Sequence, residues 1–144
     1  MKQKVLVAIT GSQSGIEDED AIQTLQPGSY GYIQNKHVIR YEEVLEESLT
    51  GQPATAQCIL KISADSVTLS KKGHTQTEMY FKQGESFDTI YETPLGSLHM
   101  GLYTTRLEII EKEDSLSLDL EYSLEMNYSH VSDCNIHIQI TSKS

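Results

Sequence analysis

Leu116, Leu118, Leu120, Tyr122, Leu124 and Met126 occupy six successive alternate positions, with Ser, Asp and Glu between most of them. Around a helix such positions scatter; along a strand they line one face. The pattern repeats in Cys134, Ile136, Ile138 and Ile140. The polar, turn-rich stretch 127–133 separates the two runs, which therefore read as a hairpin.

The same period of two extends back through the chain. Phe87, Thr89 and Tyr91 alternate, and so do Leu98, Met100 and Leu102. Between them Thr93-Pro94-Leu95-Gly96 supplies a tight turn, because Pro presets φ and Gly accepts positive φ. Leu107 and Ile109 then carry odd numbers where Leu98–Leu102 carried even ones. A single strand keeps both sets inside only if a turn or bulge near Thr104–Thr105 resets the parity. Ala56, Cys58, Leu60 and Ile62 share one face, 67–71 returns, and Thr77, Met79 and Phe81 share another. Lys72-Gly73 and Gln83-Gly84 read as turns. In the first third, Val5, Val7 and Ile9 open a strand. The segments 21–25 and 29–33 are expected as two strands broken at Pro27-Gly28, and Asn35-Lys36 turns the chain into 38–43. Glu42–Leu49 has helix propensity, but Gly51 and Pro53 close it quickly, so a strand end plus loop is the preferred reading.

Short loops and the lack of a long helical pattern leave no room for parallel crossovers. The expected fold is all-β: one domain over residues 1–144, an antiparallel meander of about eight to ten strands closed into a barrel, which removes the sheet edges. A two-sheet sandwich is the alternative. A chain of 144 residues buries enough surface to fold without a metal or disulfide. The formal charge of −10 argues against nucleic acid and anionic lipid as partners, and serves solubility. The apolar part of the N-terminus is too short for a signal peptide, and no apolar run approaches a membrane span, so a cytoplasmic setting is the expectation. In that setting Asn127-Tyr128-Ser129 is not a glycosylation site.

Several patterns that suggest chemistry have plainer readings. Gly11-Ser12-Gln13-Ser14-Gly15 resembles a nucleophile elbow, but Gln13 stands where the nucleophile belongs. No phosphate-binding loop or dinucleotide fingerprint is present, so no cofactor is expected. Cys58 and Cys134 fall on apolar faces and read as buried thiols. Cys134 and His137 point to opposite sides of a strand, and His37, His74, His99 and His130 lack ligand spacing, so no metal is expected. Asp18 and Asp20 lack the remainder of a calcium loop. Glu42, Glu43, Glu46 and Glu47 offer rim carboxylates, the least favoured, enzymatic reading.

Met79, Phe81, Phe87, Tyr91, Met100 and Leu102 would point into a barrel. Ordinary core packing is one reading. The other is the lining of a small apolar cavity, with Tyr91, Thr89 or Thr93 as polar handles and Arg106 available for a ligand carboxylate or a surface ion pair. On the second reading the chain binds a small apolar or amphipathic molecule. The competing reading is a protein-interaction or structural module.

One ordered series of weak motifs carries a resemblance. It runs Gly28-Ser-Tyr-Gly-Tyr32, Asn35-Lys36, Arg40-Tyr-Glu-Glu43, Met79-Tyr-Phe81, Tyr91-Glu-Thr-Pro94, Gly96-x-Leu98-x-Met100 and Thr105-x-Leu107. In this order and spacing the chain resembles the YwiB-like family of small bacterial proteins, over nearly its whole length. The resemblance implies a calycin-like β-barrel, related in shape to lipocalins. It implies no activity and carries over no catalytic residue.

Overall fold

The alternating segments form ten strands in the computed structural model, which describes residues 1–13, 22–45, 54–73 and 76–143. They are β1 (Lys4–Gln13), β2 (Ile22–Ile33), β3 (Lys36–Leu45), β4 (Ala54–Ile62), β5 (Ser66–Gly73), β6 (Thr77–Lys82), β7 (Ser86–Thr93), β8 (Gly96–Lys112), β9 (Ser115–Met126) and β10 (Ser129–Ser142). All ladders are antiparallel, in the order β6-β5-β4-β3-β2-β1-β10-β9-β8-β7. Pairing of β1 with β10 joins the two halves of the meander and curls the sheet into a nearly closed barrel. Strands β6 and β7 form the remaining seam. Gln76 and Glu92 exchange backbone bonds of 3.0 and 2.9 Å at one end of it. At the other end the turn joining β6 to β7 is tied to β8: the Gly84 amide donates to the Thr104 carbonyl at 2.8 Å, and the Thr104 amide to that of Glu85 at 3.1 Å. Between these ties no ladder joins β6 to β7.

The parity change is resolved by a β-bulge. Thr104 pairs with Tyr122 and Arg106 with Glu121, leaving Thr105 as the extra residue. Its hydroxyl donates to the Glu121 carbonyl at 3.0 Å. The extra residue returns Leu107 and Ile109 to the side of the core, against which both pack.

Four local expectations are corrected. Lys72-Gly73 is not a turn but the paired end of β5. Pro27-Gly28 does not break β2, which runs through both residues. The Tyr30 amide donates to Gln3 toward β1, so alternation turns position 27 toward β3, whose ladder with β2 starts only at Gly28↔Tyr41. The missing Pro27 N–H therefore costs no ladder bond. The turn between β2 and β3 is Gln34-Asn35, both at positive φ (53° and 64°), one residue earlier than expected. The β9–β10 turn is also only two residues, Asn127 and Tyr128, at φ 51° and 69°. The polar stretch after it is already strand, with a register shift between His130 and Ser132. Paired positive φ values suit the right-handed twist of a two-residue hairpin. Of Glu42–Leu49, residues 42–45 are strand; the remainder lies outside the described residues, as do Asp18, Asp20, His74 and Ser14-Gly15.

The core sits inside the barrel and draws on almost every strand. Val5, Val7, Ile39, Leu60, Ile62, Leu116, Leu118 and Ile140 are among its fully buried members. Cys58 and Cys134 are buried, unbridged thiols. One end of the barrel is tied across its width. The Tyr30 hydroxyl on β2 bonds His37 Nδ1 on β3 at 2.7 Å, and His37 Nε2 bonds Glu111 on β8 at 2.8 Å. Strands β3 and β8 are not neighbours, so this network spans the opening.

Candidate functional site

The opposite end, where β3 and β5 finish and β4 and β6 begin, gathers the interior polar groups. Alternation from Ile39 and Tyr41 places Glu43 on the inner face of β3. Alternation from Val67 and Leu69 does the same for Lys71 on β5. Between them β4 presents Ala56 and Cys58, the direct partners of Glu43 and Lys71. These two small side chains leave room for the ion pair above them: Lys71 Nζ meets a Glu43 carboxylate oxygen at 2.9 Å, with both side chains 22% exposed. Directly across from Lys71 stands Thr77 of β6. It is 5% exposed, and its hydroxyl has no hydrogen-bond partner among the described residues.

Two cross-strand Tyr–Cys pairs extend the polar content inward. Tyr41 faces Cys58 and Tyr122 faces Cys134. Burial is the main force pushing both phenols well above the ordinary tyrosine range. Burial also pushes the Cys58 thiol up, outweighing the nearby Lys71 ammonium. Cys58 is therefore a neutral thiol rather than a nucleophile. The Tyr30 phenol in the Tyr30–His37–Glu111 network is likewise raised, by burial first and then by Tyr32 and Glu111. That network ties strands together and does not activate a phenolate.

These shifts give a pH dependence. An unfolded tyrosine ionises near about 10 and an unfolded cysteine near about 8.5. Above those values the unfolded chain sheds protons that native Tyr41, Tyr122 and Cys58 retain. Their contribution is complete below the unfolded values and is lost as pH rises, by up to about 1.4 kcal/mol per pH unit for each group. Urea unfolding midpoints should fall steeply between about pH 8 and about pH 10.5; a flat profile would mean that these groups ionise freely in the native barrel.

The residues expected to line a cavity divide. Met79, Phe81, Phe87, Tyr91 and Met100 lie on β6, β7 and β8, on both sides of the unladdered seam. Phe81 and Met100 are fully buried, whereas Met79, Phe87 and Tyr91 pack partly buried against the core. The Phe81 ring lies 5.0 Å from that of Tyr122, and Phe87 lies 5.8 Å from Tyr80 at the seam. Arg106 is not among them. It is 45% exposed, hydrogen-bonds Glu108 at 2.6 Å and ion-pairs with Glu121 at 3.8 Å. The bulge beside it turns its side chain toward the surface carboxylates, so the ion-pair reading replaces the lining one.

The carboxylates Glu42 and Glu43 are adjacent on one strand and face opposite sides. Glu42 accepts from the exposed Gln57 amide at 2.8 Å, while Glu43 meets Lys71 inside. They are not a pair that can act on one substrate. His99, His130 and His137 each meet a single carboxylate, Asp88, Asp133 and Asp119 respectively. Among the described residues no three such groups converge as a metal site. Also among them, no helix is long and apolar enough to cross a membrane.

Sequence reading placed Thr77, Met79 and Phe81 on one face but passed over Lys71. The signal was available, since Lys71 continues the alternation of Val67 and Leu69. The cross-barrel tie of Tyr30, His37 and Glu111 had none, because it depends on how the barrel curls.

Among the described residues Thr104 is the second buried hydroxyl without a partner, at 1% exposure beside the bulge. Thr104→Val keeps the shape and removes an unsatisfied group, so it should raise stability by about 1 kcal/mol. A lower urea midpoint in the variant would mean that the hydroxyl has a bonding partner.

Comparison with known proteins agrees with this architecture. The crystal structure of ywiB protein from Bacillus subtilis is similar at a TM-score of 0.75 and 21% identity, covering 98% of this chain and 91% of that one. At that identity the likeness establishes the fold. No curated protein matches the chain. A family model described as a domain of unknown function matches residues 7–138, and the chain accordingly belongs to the DUF1934 family.

Proposed function

We propose that the protein is a carrier or sensor that holds a small amphipathic molecule inside its barrel. The observation that carries this reading is the Thr77 hydroxyl, buried, unpartnered and set opposite Lys71. Leaving such a group unsatisfied costs about 1–3 kcal/mol. A bound polar head that hydrogen-bonds it recovers that cost. Below Thr77 the same face of β6 continues with Met79 and Phe81, so one strand offers a polar site followed by an apolar one. The β6–β7 seam is the part of the wall that opens with the fewest broken backbone bonds, and Met79, Phe87 and Tyr91 flank it.

The test is native mass spectrometry of the protein purified gently from its own cells. A small molecule retained at one per chain is the expected result. Thr77→Val should stay folded and lose that molecule. A bare chain mass under conditions that preserve noncovalent complexes would remove the ligand-binding reading.

A further inference from the structure

We infer that the molecule held in the barrel is uncharged at its polar end: an alcohol, ester or amide of a long apolar chain rather than an acid or an amine. This rests on the ligand-binding reading above and narrows it to a chemical class. The argument begins with the 2.9 Å ion pair. Among the described residues Lys71 is the one inward-facing cation in this cluster, and Glu43 already compensates it. A carboxylate brought to Lys71 also approaches Glu43, and the repulsion offsets most of the attraction while the carboxylate still loses its water. An ammonium head meets the same difficulty with the signs exchanged.

What the cluster still offers is hydrogen bonding. The ammonium has three N–H donors, of which Glu43 takes one. The Thr77 hydroxyl can donate or accept, and it has no partner. A carbonyl or hydroxyl oxygen placed between Lys71 and Thr77 satisfies both without adding charge. The tail then follows Met79 to the partly buried Phe87 and Tyr91 at the β6–β7 seam. The overall charge of −10 further disfavours the approach of an acid.

The experiment uses the full chain loaded with the neutral fluorophore N-phenyl-1-naphthylamine. Decanol, decanoate and decylamine compete for it at neutral pH, where the last two are charged. Decanol should displace the fluorophore at a concentration at least about tenfold lower than either charged analogue. In Glu43→Gln the Lys71 charge is left uncompensated, so decanoate should gain on decanol by about tenfold or more. If Glu43→Gln does not fold, the double variant Glu43→Gln/Lys71→Met keeps the cluster neutral and should retain the decanol preference. Decanoate or decylamine binding more tightly than decanol to the wild type would overturn the inference and leave the ligand-binding reading standing. So would an unchanged decanoate-to-decanol ratio in a folded Glu43→Gln. Failure of the fluorophore and of all three competitors to bind would instead remove both.

Discussion

Gly73→Ala is expected to lose about 2–3 kcal/mol of stability, read as a lower urea midpoint with an unchanged slope. Gly73 has φ +151°, and a Cβ there would lie 2.3 Å from the Thr55 carbonyl oxygen and 2.8 Å from the Ala56 Cα. Both obstacles are backbone, so relief requires β4 and β5 to separate. That separation would shift Lys71, two residues earlier on β5, away from Glu43. The same substitution at Gly84 is the control. Its φ is +82°, but nothing lies within 4 Å of its Cβ position. It should cost only the conformational penalty of about 1 kcal/mol. Equal losses at the two positions would show that φ alone, and not the contact with β4, makes Gly73 necessary.

Phe81→Ala should cost about 3–5 kcal/mol, the range for a buried aromatic truncated in a packed core. The side chain is 2% exposed and its ring lies against Tyr122. Phe81 is also on the short strand beside the seam, where no second ladder shares the load. Chemical unfolding of the empty protein measures the loss. A cost below about 1 kcal/mol would mean that the ring borders loosely filled space instead of the core. The result thus separates two roles for Phe81, a packed part of the core and a border of open space.

Much of this architecture is legible in side-chain alternation. The interior positions of Cys58, Cys134 and the Leu116–Met126 run follow from a period of two, because a strand has only two faces. The bulge was legible for the same reason. Even numbering before Thr104 and odd numbering after it cannot both face inward without one extra residue, and Thr105 is that residue. The hairpin turns were misjudged by one residue at Asn35 and by several at Asn127–Asp133. There Gln34 and Tyr128 adopt positive φ that their residue types do not advertise. Pro27 misled for a related reason. A proline breaks a strand only if its missing N–H faces a partner, and no sequence pattern says where the neighbouring ladder begins.

The amino-acid sequence by itself determined the strand content, the two faces of each strand and the position of the parity reset, because these depend on neighbours along the chain. Tertiary structure decided which inward groups meet. Glu43 and Lys71 lie on strands separated by β4, and their ion pair exists because Ala56 and Cys58 are small enough to let the two side chains span it. It also decided that Arg106 turns outward, that His37 reaches Glu111 across the barrel, and that β6 and β7 meet without a ladder. Each of these depends on curvature and closure, which arise from the twist of the whole sheet rather than from any one segment.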